Sequence, residues 1–171
     1  MDDKLKIKKI LAPTDLSELS QAGVRYALKL ARATGAEVTV YHTVNYDEIV
    51  EYGEEMKERV ALSQASRPTS SLLETYHLAP ARFVKDHFSD LMPGIKIHEK
   101  VELGRAEDNI VERAKTEGSD LIVISTHGRT GLSHMLMGSV TEKVVRHAPC
   151  PVLSIRPQPG QKATEKAAAA A

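Results

Sequence analysis

DLIVISTHGRTGLSHMLMGSVTEKVVRHAP, residues 120–149, carries three patterns in succession. It opens on Leu121–Ile124, an apolar run rich in β-branched residues, which predicts a buried strand. It continues through a long polar stretch punctuated by Gly128, Gly131 and Gly138. It ends in a segment around Val140 and Val144 with apolar residues at helical spacing. A loop of this kind between a strand and a helix is either a surface connection or a backbone cradle for an anion. The rest of the chain decides between them.

Working outward, further apolar or β-branched runs predict strands at 8–13 (KKILAP), 37–44 (EVTVYHTV), 95–103 (IKIHEKVEL) and 151–155 (PVLSI), beside 120–126 (DLIVIST). Between them, Leu19, Ala22, Tyr26, Ala27 and Leu30 share one helical face until Gly35, and Ile110, Val111 and Ala114 do the same before Gly118. The segment 45–92, with Pro68 and Pro80, reads as a helix, an interruption and one or two further helices. Alternation of strand and helix predicts an α/β fold, a single domain built on an open parallel sheet with helices on both faces. KKILAP and DLIVIST are the most apolar strands and belong in the centre, whereas IKIHEKVEL belongs at an edge. The order 3-2-1-4-5 satisfies both. It places the topological switch, where such sheets take ligands beyond the carboxyl ends of their strands, between the first and fourth strands. The loops meeting there are PTDLS (13–17) and the polar stretch quoted above.

Composition narrows the function classes. With 23 basic and 23 acidic residues among 171, no overall field draws the protein to nucleic acid or an anionic membrane, so any anion site is local. No run approaches the ~20 apolar residues of a membrane span, and the N-terminus lacks a signal-peptide core; a cytoplasmic protein is expected. The single cysteine, Cys150, excludes an internal disulfide framework and reads as a packed small hydrophobe. One domain is expected over 1–157, followed at 158–171 by a disordered low-complexity tail.

Gly128, Gly131 and Gly138 allow positive φ and close approach of the backbone to a ligand, and the helix after them offers unpaired N–H groups at its positive end. Ser139 has two readings: an anion contact, or the N-cap of a capping box SVTE in which Glu142 reaches back. Asp15 also has two, as a ligand contact or as a cap of the first helix. His42, at the end of a strand, reads as a satisfied near-core histidine. Neither G-x-x-x-x-G-K-[ST] nor G-x-G-x-x-G follows a strand, which argues against a P-loop ATPase and a Rossmann dehydrogenase.

ILAPTDLS (10–17), GRAEDNI (104–110), STHGRTGLSHMLMGSVTEKV (125–144) and HAPCPVLSI (147–155), in this order, resemble the universal stress protein family of the adenine-nucleotide α-hydrolase-like fold. The resemblance spans roughly residues 7–156 and is weakest over 45–92. ATP-binding members carry G-x-x-G-x9-G-[ST]; here the spacing from Ser125 through Gly128 to Gly138 and Ser139 is intact, with Ser125 in place of the first glycine. Carried over by position, the resemblance implies an ATP site. Pro13, Thr14 and Asp15 would lie on the adenosine side, Asp15 near the ribose, with the backbone of Thr43 at the adenine edge. Ser125, Thr126 and His127 open the loop, Gly128, Arg129, Thr130 and Gly131 would run along the phosphates, and Gly138, Ser139, Val140 and Thr141 would close the site. Hydroxyls and N–H groups suit phosphate oxygens, whereas a carboxylate suits ribose hydroxyls.

No lysine occurs in the loop and Asp15 is the only carboxylate expected nearby, so Mg2+ would be held mainly by phosphates. The reading is a nucleotide-binding regulator or sensor with no assigned catalytic residue and at most slow ATP hydrolysis. Its alternative is an interaction protein of the same fold without nucleotide. The resemblance further implies a homodimer paired through the fifth strand, whose open edge invites pairing.

Overall fold

The structure, a computed structural model, describes residues 6–46, 70–127 and 137–157. Its elements follow in the order β1 (Lys9–Pro13), α1 (Gln21–Thr34), β2 (Glu37–Val44), α2 (Ser70–Phe88), β3 (Ile97–Leu103), α3 (Ala106–Glu117), β4 (Leu121–Ser125), α4 (Ser139–His147) and β5 (Val152–Ile155). The five strands form one parallel sheet in the order β3-β2-β1-β4-β5. The expected order and fold class are therefore observed, and each strand lies within its expected range.

Side-chain alternation along the strands sends two sets of residues to opposite faces. Ile10, Ala12, Val38, Val40 and Val123 pack with Val24, Ala27 and Leu28 of α1 and Phe83, Val84 and Phe88 of α2. On the other face, Leu11, Tyr41, Ile122 and Ile124 pack with Ile110 and Ala114 of α3 and Val144 of α4. The central strands are buried on both faces, which is why they read as unbroken apolar runs, whereas β3 is only half-buried along its length. Cys150 packs at the edge of the second cluster, and burial pushes its thiol above the ordinary range, away from thiolate chemistry.

Pro80, read from sequence as an interruption, lies inside α2. The ring removes one backbone donor, yet the helix continues because Phe83, Val84 and Phe88 beyond it are anchored in the core. Residues 47–69, 128–136 and 158–171, which include the earlier part of the 45–92 segment and the expected tail, lie outside the described residues. No described helix is long and apolar enough to cross a membrane.

Candidate functional site

At the carboxyl ends of β1 and β4, the two strands flanking the switch, a cavity of about 230 Å³ opens between the loop after β1 and the start of α4. Pro13, Thr14, Asp15 and Thr43 line it on one side, and Ser125, Thr126 and His127 at the end of β4. Gly138, Ser139, Val140 and Thr141 complete the opposite wall. Gly128, Arg129, Thr130 and Gly131, which the sequence reading also named, lie outside the described residues. Sequence reasoning missed Ser20, Tyr41, Ala106, Ile110 and Ile124, which also line the cavity and, Ser20 apart, supply much of its apolar wall. Tyr41 was within reach of the strand period, because it shares a face with Thr43 two residues on. Ala106 and Ile110 needed the packing of α3 to be known.

The loop after β1 is held by its own side chains. Asp15 Oδ1 accepts hydrogen bonds from Ser17 N (3.0 Å) and Ser17 Oγ (2.6 Å). Leu16 N donates to Thr14 Oγ1 at 3.0 Å. Ser20 Oγ donates to Ser17 O at 2.8 Å, so the 2.7 Å contact between Thr14 Oγ1 and Ser20 Oγ has Thr14 as donor. His42 Nδ1 donates to Thr14 O at 2.9 Å, which fixes the proton on Nδ1 and makes this buried histidine a brace for the loop. These bonds hold Leu16 at φ 64°, a left-handed conformation costly for a branched side chain, while that side chain packs against the core. Asp15 is thus the head of a local turn. It does not cap α1, whose N-cap is Ser20.

No side chain of Ser20 caps α1; the bond comes from β4. Ser125 Oγ accepts from Gly23 N at 2.9 Å across 102 residues of sequence, satisfying one of the first-turn donors of the helix. A Cβ on Gly23 would lie 2.8 Å from Ser125 N, so glycine there lets the helix approach the end of the strand. The serine that replaces the first glycine of the family pattern thus turns its hydroxyl toward α1, and its own φ is not positive.

On the other side, the polar loop is closed at its neck. Gly138 N donates to Thr126 O at 2.7 Å, Thr126 N to Ile155 O at 2.8 Å, and Thr141 Oγ1 to Ser125 O at 2.8 Å. A Cβ on Gly138 would stand 3.1 Å from Thr126 O. Close approach is therefore what Gly138 supplies; its φ of −70° needs no glycine. The capping box expected at Ser139 is absent: the N-cap is Gly138, Ser139 is the first helical residue, and Glu142 pairs with Arg146 at 3.0 Å instead of reaching back. The pinned neck sets this frame one residue early. The first helical bond runs from Glu142 N to Gly138 O, so the N–H groups of Ser139, Val140 and Thr141 precede it with no capping side chain among the described residues.

The wall formed by α3 is fixed by charge. Tyr41 Oη donates to Glu102 Oε2 at 2.5 Å, Glu102 pairs with Arg113, and the guanidinium lies 5.7 Å from the Tyr41 ring centre. Burial raises the Tyr41 hydroxyl above its ordinary pKa, so it stays a neutral donor. At the first turn of α3, Glu107 pairs with Lys143 of α4 at 2.7 Å, and that bond, with others, lowers its carboxyl to about 2.

The cavity thus joins an apolar slot to a row of hydroxyls and helix-start donors, with one carboxylate set apart in its own turn. That division suits a molecule with a flat apolar part, hydroxyls and a polyanionic end. Comparison with known proteins places the chain. Residues 6–156 match the Universal stress protein family. The universal stress protein MJ0531 of Methanocaldococcus jannaschii is 34% identical over 149 residues, 87% of this chain and 82% of that protein. The solved structure of protein MJ0577 from the same organism superposes with a TM-score of 0.68 at 29% identity, over 90% of this chain and 98% of that one. A family member from Arabidopsis thaliana, solved with AMP bound, has a TM-score of 0.56 at 16% identity over 94% of this chain and 99% of its own, a likeness of fold. With a family match over nearly its whole described length, the chain belongs to the universal stress protein family.

Proposed function

We propose that this chain is a cytoplasmic stress-response protein that binds an adenine nucleotide, ATP in the first instance, in the cavity between β1 and β4, and acts as a regulator or sensor. The observation that carries the reading is the meeting of two loops far apart in sequence, Pro13–Asp15 and Gly138–Thr141, around one cavity beside an uncapped helix start. The adenosine lies in the slot of Pro13, Tyr41, Ile110 and Ile124, its ribose toward Asp15. The phosphates take the N–H groups of Ser139, Val140 and Thr141, with the loop residues Gly128–Gly131 along them. Any Mg2+ would be held mainly by phosphate oxygens and water. The AMP found in the Arabidopsis relative supports an adenine nucleotide as the ligand class. Two copies of the chain pair through β5, a four-residue edge strand bonded to a neighbour on one side and half-buried along its length.

Calorimetric titration of the purified protein with ATP, ADP and AMP tests the site. Saturable binding of at least one of them, weakened about tenfold or more in Gly138→Val, is expected; no heat from any of the three overturns the reading. Light scattering at micromolar concentration is expected to give twice the chain mass.

A further inference from the structure

A second cavity, of about 290 Å³, opens at the opposite end of the sheet, where β1, β2 and β3 begin beneath the carboxyl end of α3. Lys9, Lys100, Glu117 and Ser119 frame it, with Glu37 and His98 at its outer side. It shares no residue with the cavity between β1 and β4. Of the family motifs read from the sequence, only the first residue of ILAPTDLS, Ile10, reaches it.

Ser119 is only 8% exposed. Its N–H is taken by Ala114 O at 2.9 Å, and its hydroxyl makes no hydrogen bond among the described residues. Among the described residues only Thr43 Oγ1 and Arg113 Nε are enclosed without a partner, so the Ser119 hydroxyl is open to a group that enters the cavity. The charged groups around it are engaged in a lopsided way. The Glu117 carboxylate is engaged at both oxygens: Lys100 Nζ donates to Oε1 at 2.6 Å and Arg113 reaches the same oxygen at 3.5 Å, while Thr39 Oγ1 donates to Oε2 at 3.1 Å. Glu37 accepts Lys96 at 2.8 Å and faces His98 at 3.3 Å. Each ammonium, by contrast, has three donors. Lys9 Nζ spends one on Glu117 O at 3.0 Å, and Lys100 Nζ one on Glu117 Oε1. Glu37 Oε1, at the outer side, keeps its lone pairs, but around Lys9, Lys100 and Ser119 the capacity left over is chiefly that of donors.

The helix end does not cancel this. Three of the four carbonyls that close α3, those of Ala114, Lys115 and Glu117, are covered by Gly118 N, Ser119 N and Lys9 Nζ, which blunts the negative pole of the helix. Burial works to raise the Glu117 carboxyl, but the bonds from Lys100 and Thr39 hold it below the ordinary value, so it remains an ionised anchor that fixes Lys100 in place.

We infer that this cavity is a second ligand site, one that takes a small oxyanion, a phosphate or carboxylate group, between the ammonium groups of Lys9 and Lys100 and the hydroxyl of Ser119. The volume leaves room for a molecule that carries the oxyanion as one of its groups. Ion-paired charges around an oxyanion make short, directional bonds without adding a large local net charge.

The test uses the full chain, 15N-labelled, titrated separately with inorganic phosphate and with acetate at constant ionic strength in chloride. Saturating amide shifts at Ser119 and Lys100 are expected with at least one probe, and the probe that saturates identifies the class of oxyanion. Ser119→Ala, which leaves every ion pair intact, is expected to weaken that binding by about tenfold. Lys9→Gln with Lys100→Gln should abolish it in a chain whose spectrum otherwise stays dispersed. Gly138→Val, in the other cavity, should leave it unchanged. Shifts that fail to saturate with either probe, saturation confined to residues 139–141, or equal affinity in the double variant would each overturn the assignment.

Discussion

The two walls of the cavity between β1 and β4 are built on opposite principles. In the loop after β1, the side chains of Thr14, Asp15, Ser17 and Ser20 and the ring of His42 are joined in one hydrogen-bonded set. At the start of α4, the neck is tied by Gly138 N to Thr126 O, but among the described residues no side chain caps the next three N–H groups. One wall spends its polar groups on its own shape, and the other keeps donors unspent. A binding site profits from both, since a rigid wall fixes orientation and loses little order on binding, while uncapped donors supply the attraction.

The comparison is broken most severely at the neck. Gly138→Val sets branched carbon against Thr126 O, where even a Cβ stands at 3.1 Å, so the backbone of the neck must give way. Overpacking of this kind costs about 1–3 kcal/mol, and nucleotide affinity measured by calorimetry should fall by about tenfold or more. The next test is on the wall that is already satisfied. Ser125→Ala leaves Gly23 N without its acceptor, and urea denaturation should show a loss of about 1–2 kcal/mol with nucleotide affinity less affected than in Gly138→Val. A loss of affinity larger than the loss of stability would mean that the hydroxyl serves the ligand.

Ser139→Asp sharpens the contrast. A carboxylate in the first turn should stabilise α4 by about 0.3–1 kcal/mol, read as a small rise in Tm, while weakening ATP by repelling its phosphates. If both quantities rise, the phosphates do not lie at that helix start. The smallest effect lies behind the cavity. The Glu107 carboxyl is lowered to about 2 from an ordinary 4.5, chiefly by Lys143, so its contribution to stability is complete above pH 4.5 and disappears as pH falls through 2. Tm measured across that window should fall more in the parent than in Glu107→Gln. Equal slopes would remove the α3–α4 pair from the account.

The two walls were unequally legible in the sequence. Strand placement and sheet order followed from the apolar runs, because parallel central strands must be apolar on both faces. Pro13, Thr14 and Asp15 followed from the switch-point rule together with the family resemblance. What the sequence did not carry were contacts that depend on distance in the chain. The capping of α1 by Ser125 spans 102 residues, and no local pattern announces it. Of the two readings of Ser139, the capping box fails for the same reason: SVTE has the form of one, but the bond from Gly138 to Thr126 moves the cap one residue upstream. Pro80 likewise follows local rules for a break, and the core contacts beyond it override them.

The most direct test of the split cradle is an amide shift map of the 15N-labelled chain titrated with ATP. Saturating shifts that appear together at Asp15–Ser20 and at Ser139–Thr141, with one dissociation constant, are the predicted result. Shifts confined to one of these two segments, or saturating shifts elsewhere with both segments unmoved, would contradict it.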